Sequence, residues 1–300
     1  MSSVLPLHRR ATPFEGASLA WLIALAGYAV MYVPVYWWAA HSIWQSDDHA
    51  HEAIVFAVAI WLFWTQRTKI AEAPVRPSPL LGGVVFGFGL LVYIVGRMFS
   101  ISIFEMASQI FVIAGGLLLL KGRAAVRAAW FPIFYLIFMI PPPGVLVDAI
   151  TGPLKQWISS IVVSTLYAVG YPIAQSGVII SIGQYQLLVA DACSGLHSMF
   201  SLTALGTLFM YIMARRSRTH NVIMLASILP IAFVANICRV IILVLVTYHL
   251  GDEAGQGFLH GAAGMVLMLV ALLIFFALDA GLNWVLSARH RNAPPSKARP

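Results

Sequence analysis

Runs of about twenty apolar residues, separated by short polar and basic stretches, recur from one end of the chain to the other. At about 1.5 Å rise per residue each run is long enough to cross a hydrocarbon core roughly 30 Å thick. They predict helices near residues 17–40, 51–66, 80–99, 101–120, 127–140, 196–214, 221–248 and 261–286. The first run is too long for a signal-peptide core and lacks a small-residue cleavage site, so it is expected to remain as a helix.

The pattern changes between Pro141 and Ala192. Pro141, Pro142, Pro143 and Gly144 stop a helix, and no long uninterrupted span follows before Cys193. From Val145 to Val169 apolar residues such as Leu146, Ile150, Leu154, Trp157 and Ile161 recur at helical spacing, with Lys155, Gln156, Ser159 and Ser160 between them. This is the pattern of a helix lying in the interface. Val178 to Ile182 and Gln184 to Val189 flank Gly183, and their β-branched and aromatic residues predict a short hairpin leading to Asp191 and Cys193.

The expected fold is therefore an all-α polytopic membrane protein of about eight transmembrane helices, with an outer-face interfacial helix and a short β-hairpin before Cys193. A cytoplasmic tail at 1–16 precedes one transmembrane domain at 17–288, which includes the extracytoplasmic segment 141–192, and a basic cytoplasmic tail follows at 289–300.

Composition agrees: 60% of the residues are hydrophobic and 10% charged, where a soluble domain has roughly a quarter charged. The formal charge of +7 does not point to nucleic acid, because the basic residues lie in short runs between apolar segments rather than on one face. With both termini inside, fifteen of the eighteen Lys and Arg are cytoplasmic, the others being Arg97, Lys155 and Arg239. The lipid bilayer is the expected surrounding, and no cofactor or metal motif is read. His41, His49 and His51 are loosely spaced and are taken as solvated loop residues.

Counting along the helices brings three chemically distinct residues to one depth. The helix leaving Arg215 reaches the outer boundary near Leu196, with Cys193 just beyond it. Starting from Val222 inside, Arg239 lies about 25 Å up. His260 immediately precedes the last helix, which starts outside near Gly261. A thiol attacks only as thiolate, and a helix amino terminus with a nearby cation lowers its pKa. His260 can act as base and then acid. Arg239 can stabilise the thiolate or an oxyanion, or bind a substrate carboxylate through its planar fork.

Each residue also has a plainer reading. A cysteine alone is commonly inert packing, as Cys238 is taken to be, and a histidine beside glycines can satisfy a helix end. Arg239 is harder to set aside, because a charge inside a span is costly and marks a functional site by default. His197, four residues after Cys193, shares its helical face and is a rival base. Asn236, three residues before Arg239, shares its face and orients the guanidinium or contacts substrate. Asp191 caps the helix or holds a catalytic cation, and Ser194 is a supporting candidate. Asp279, deep in the last helix, has no evident partner.

Ala192-Cys-Ser-Gly-Leu, Asn236-Ile-Cys-Arg239 and His260-Gly-Ala-Ala-Gly264 resemble, in order and spacing, three signature blocks of the exosortase and archaeosortase family. The stretch from Leu229 to His260 is similar to the B-type exosortases. The resemblance covers roughly residues 20–285. It implies a bacterial inner-membrane cysteine protease or transpeptidase with its active site facing the periplasm, acting on exported proteins that carry a carboxy-terminal Pro-Glu-Pro motif, a membrane span and a basic tail. It also implies catalytic roles for Cys193, Arg239 and His260. Many relatives have Arg shortly after Cys-Ser-Gly, where this chain has His197. The rival readings are a transporter, which would show polar residues at the midplane of several helices, and a polysaccharide-export accessory protein, indifferent to loss of Cys193.

Overall fold

The computed structural model describes residues 13–46, 50–142, 144–188, 195–213, 217–261 and 263–291. The chain falls into two compact units, Met1–Pro141 and Pro142–Pro300. Among the described residues, six helices are long and apolar enough to cross a membrane, and Trp130–Met139 and Phe200–Met213 are shorter apolar helices. These eight correspond to the runs read from the sequence, and the molecule is a mostly helical polytopic membrane protein.

The first unit contains α1 (Pro13–His41), α2 (Ala50–Glu72), α3 (Pro79–Phe99), α4 (Ser102–Leu120), α5 (Arg123–Ala128) and α6 (Trp130–Tyr135), with one 3-10 turn at Ile43–Gln45 and another at Leu136–Met139. Pro79 starts α3 at a position where its fixed φ costs nothing. In lipid, helices gain little from hiding apolar surface and associate where small residues let backbones approach. Gly82, Gly89 and Gly96 are the buried residues of α3, and a Cβ on each would lie within 2.9 Å of Leu119, 2.9 Å of Val112 and 2.7 Å of Glu105. The descending partners show that α3 and α4 pack antiparallel along their length.

Residues 127–140, expected as one helix, are built from the end of α5, all of α6 and a 3-10 turn. The cause is Pro132, which has no N–H to offer the carbonyl of Ala128, where α5 ends.

The second unit opens with α7 (Gly144–Ala168), matching the expected helix at 145–169. Then come β1 (Ile173–Ser176), β2 (Ile179–Ile182) and β3 (Tyr185–Leu188), an antiparallel meander in the order β1-β2-β3. The predicted hairpin is β2 and β3; β1 adds a third strand, pairing Ile173 with Ile182 and Ser176 with Ile179. Gly183 takes φ 56°, the turn leaves two residues between Ile182 and Tyr185, and a Cβ there would lie 3.3 Å from the ring of Tyr248. Among the described residues, four helices complete the unit: α8 (Gly195–Met213), α9 (Arg218–Leu250), α10 (Asp252–Gly261) and α11 (Ala263–Arg291).

Two cores meet along α9. Ile228, Ile231, Ala232 and Ala235 pack with Leu202 and Phe209 of α8 and with Leu267, Ala271 and Phe275 of α11. Further along, Val240 and Val244 pack with Ile158 and Val162 of α7 and with Ile180, Ile182 and Leu187 of the sheet. One helix thus changes partners between Ala235 and Val240.

Candidate active site

Asn236 and Arg239 lie in that changeover, 0% and 7% exposed. They are one helical turn apart, so both project from the same face of α9. Cys238 between them is half-buried and not disulfide-bonded.

The register of neighbouring helices can be read from close contacts. A Cβ on Gly206 of α8 would lie 3.1 Å from Ile228, and Met213 shares a small cavity with His220 and Asn221. As α8 ascends α9 descends, so the two are antiparallel. Gly195 lies eleven residues before Gly206 and Arg239 eleven after Ile228, which makes the first residue of α8 level with Arg239.

The same count applies to α11. His220 Nε2 and Asp279 Oδ1 are 2.8 Å apart, both side chains buried. Ala263 lies sixteen residues before Asp279 and Asn236 sixteen after His220, so α11 begins level with Asn236. To reach that level from Gly251, α10 must run back beside α9. Its contact agrees: Gly255 has no room for a side chain against Thr247. Gly251 takes φ 92° at the reversal, which favours glycine.

Three helix ends thus come to one level: the start of α8, the end of α10 and the start of α11, all within about a helical turn of Arg239. Among the candidate residues, Asn236 and Arg239 are brought together directly. His197 and His260 fall within α8 and α10, where only the backbone is described. Cys193, Asp191 and Ser194 lie outside the described residues. Among the described residues, no three His, Cys, Asp or Glu side chains gather to hold a metal ion.

Two polar features were not found from the sequence. The partner of Asp279 is His220, 59 residues earlier, and no local spacing signals such a pair. In the first unit, the Tyr28 hydroxyl lies 2.7 Å from that of Tyr36, which donates to Gln109 Oε1, while Tyr32 pairs with Ser108 at 2.7 Å. A glutamine facing tyrosines at helical spacing in α1 (28, 32, 36) is a signal that inspection of α4 for buried polar residues would have caught.

Comparison with curated protein sequences and with solved structures returned no match. A family model described as transmembrane exosortase matches residues 37–277, which takes in the sheet, Arg239 and the first half of α11. The match extends over most of both units, and the chain belongs to the transmembrane exosortase family.

Proposed function

We propose that the protein is a membrane-embedded cysteine transpeptidase or protease that cleaves carboxy-terminal Pro-Glu-Pro sorting signals of exported proteins at the outer boundary of the bacterial inner membrane. The observation that carries this reading is the common level of the ends of α8, α10 and α11 beside the buried Arg239. Cys193 precedes the first of these ends by two residues and His260 precedes the last by three. Exosortase membership supports the sorting role.

In this mechanism His260 accepts the Cys193 proton, and the thiolate adds to the scissile carbonyl. The developing oxyanion is stabilised by Arg239, which acts far more strongly in a water-poor site than in bulk solvent. Collapse breaks the C–N bond, His260 returns its proton to the leaving amine, and a thioester to Cys193 remains. An amine, another nucleophile or water then attacks the thioester, giving up its proton to His260 as the thiolate departs. Asn236, on the face of Arg239, holds the guanidinium in its working orientation.

The positive-inside distribution of Lys and Arg supports a cytoplasmic placement of both termini. A substrate with a basic tail held inside would carry its motif to the outer boundary, the level to which the count along the sequence assigns Cys193. The decisive experiment replaces the sulfur. Cys193→Ala should abolish processing of a co-expressed signal-bearing protein while the variant still accumulates in the membrane; normal processing by that variant would refute the mechanism.

A further inference from the structure

Among the described residues the strand β3 has one unpaired edge, and the hydrogen-bond alternation identifies the residues that use it. Gly183 N–H donates to the Pro172 carbonyl at 3.1 Å, extending the β1–β2 ladder by one bonded pair. Counting in twos from there, Ser181 and Ile179 bond toward β1, and Ile182 and Ile180 bond toward β3. Their partners Tyr185 and Leu187 are therefore spent on β2. Gln186 and Leu188 aim N–H and C=O away from the sheet. Both residues are exposed, and neither outward peptide group has a hydrogen-bond partner among the described residues.

The opposite edge, along β1, is not equivalent. The side chain of Gln175 there accepts from Ser160 Oγ of α7 and donates to the Gly177 carbonyl, tying this edge to α7. β3 instead leads into the reactive segment: Cys193 follows Leu188 by five residues, at most about 17 Å of extended chain. Leu187 packs in the same core as Val240 and Val244, one and five residues beyond Arg239. An open edge five residues before Cys193 in the chain suits a reaction in which the attacked peptide must be extended for its carbonyl to be reached.

We infer that the outer edge of β3 is the docking strand for the substrate, which adds as a fourth strand through the peptide groups of Gln186 and Leu188 before presenting its scissile bond to Cys193. This rests on the cysteine mechanism proposed above and names how the substrate is held. Strand addition gains affinity from main-chain hydrogen bonds at alternate residues. A Pro-Glu-Pro segment suits that requirement: the two prolines, two residues apart, turn their missing N–H groups away together, and the glutamate between them donates to the edge.

The test measures kcat/KM of the full-length protein in lipid vesicles on a synthetic peptide bearing the signal and its apolar segment. Proline at an outward edge position removes the docking N–H without breaking the ladder. Gln186→Pro and Leu188→Pro should each lower kcat/KM roughly two- to tenfold, the worth of a hydrogen bond. Gln175→Pro, the same change on the other edge, should leave it within about twofold, and iodoacetamide should label Cys193 at the wild-type rate in all three. Wild-type turnover by both β3 variants, or an equal loss in Gln175→Pro, overturns the proposal.

A second arm leaves the enzyme unaltered, so misfolding of a variant does not blunt the test. Peptides N-methylated at successive non-proline positions should lose turnover at every second residue. Uniform loss, or none, overturns edge docking. If Cys193→Ala cleaves the peptide normally while the alternation persists, the cysteine mechanism has failed and edge docking has not.

Discussion

Gly255→Ala tests how α10 is seated. A Cβ at this position would overlap Thr247 Oγ1 and sit 3.2 Å from its Cβ and 3.5 Å from its Cα. The hydroxyl is not free to swing aside, since it donates to the Leu243 carbonyl at 3.0 Å. The nearby Cα belongs to the backbone of α9, so relief requires the two helices to separate. Overpacking of this kind costs about 1–3 kcal/mol. Thr247→Ala removes the hydroxyl and a methyl group and opens the space, at a cost of about 1 kcal/mol for the lost hydrogen bond. The double variant should then be more stable than the two single losses together allow, with a coupling of about 0.5–3 kcal/mol. Denaturant titration of the four proteins in detergent gives that coupling directly. Additive losses, within about 0.5 kcal/mol, would show that α10 does not bear on Thr247 and would remove the argument for its position. Because α10 ends just after His260, processing by Gly255→Ala should fall further than its stability loss explains.

Three further outcomes are expected. Asp279→Ala should destabilise the protein by about 1–3 kcal/mol by leaving His220 buried without its acceptor, whereas Asp279→Asn, which keeps a carbonyl oxygen, should cost less in the same titration. His260→Ala should be inactive and His197→Ala impaired at most in a processing assay; the reverse order would move the base to His197. Arg239→Lys keeps the charge but loses the planar fork, so membrane accumulation should be normal while processing drops by roughly 100-fold, the scale of losing one oxyanion donor.

Much of this architecture is written locally. The apolar runs, the break in helix at Pro141 and Pro142, the helix at 145–169 and the turn at Gly183 follow from hydropathy and from the backbone limits of Pro and Gly. So does the common level of the ends of α8, α10 and α11 beside Arg239, since depth along a membrane helix is residue number multiplied by a constant rise.

What hydropathy alone does not reveal is which faces meet. In a chain that is apolar almost all round, a lipid-facing residue and a core residue look alike: Trp157 is exposed while Ile158 beside it is buried. Pairing across 59 residues between His220 and Asp279, the third strand β1, and the change of partners along α9 that buries Asn236 and Arg239 all depend on close packing between distant segments. Those contacts are decided by small residues such as Gly206 and Gly255, whose missing side chains let helices touch. The sequence by itself determined the kind of molecule and nominated the candidate residues; the tertiary structure decided that Asn236 and Arg239 are buried together, because packing is selected by shape across the whole fold and hydropathy is read one segment at a time.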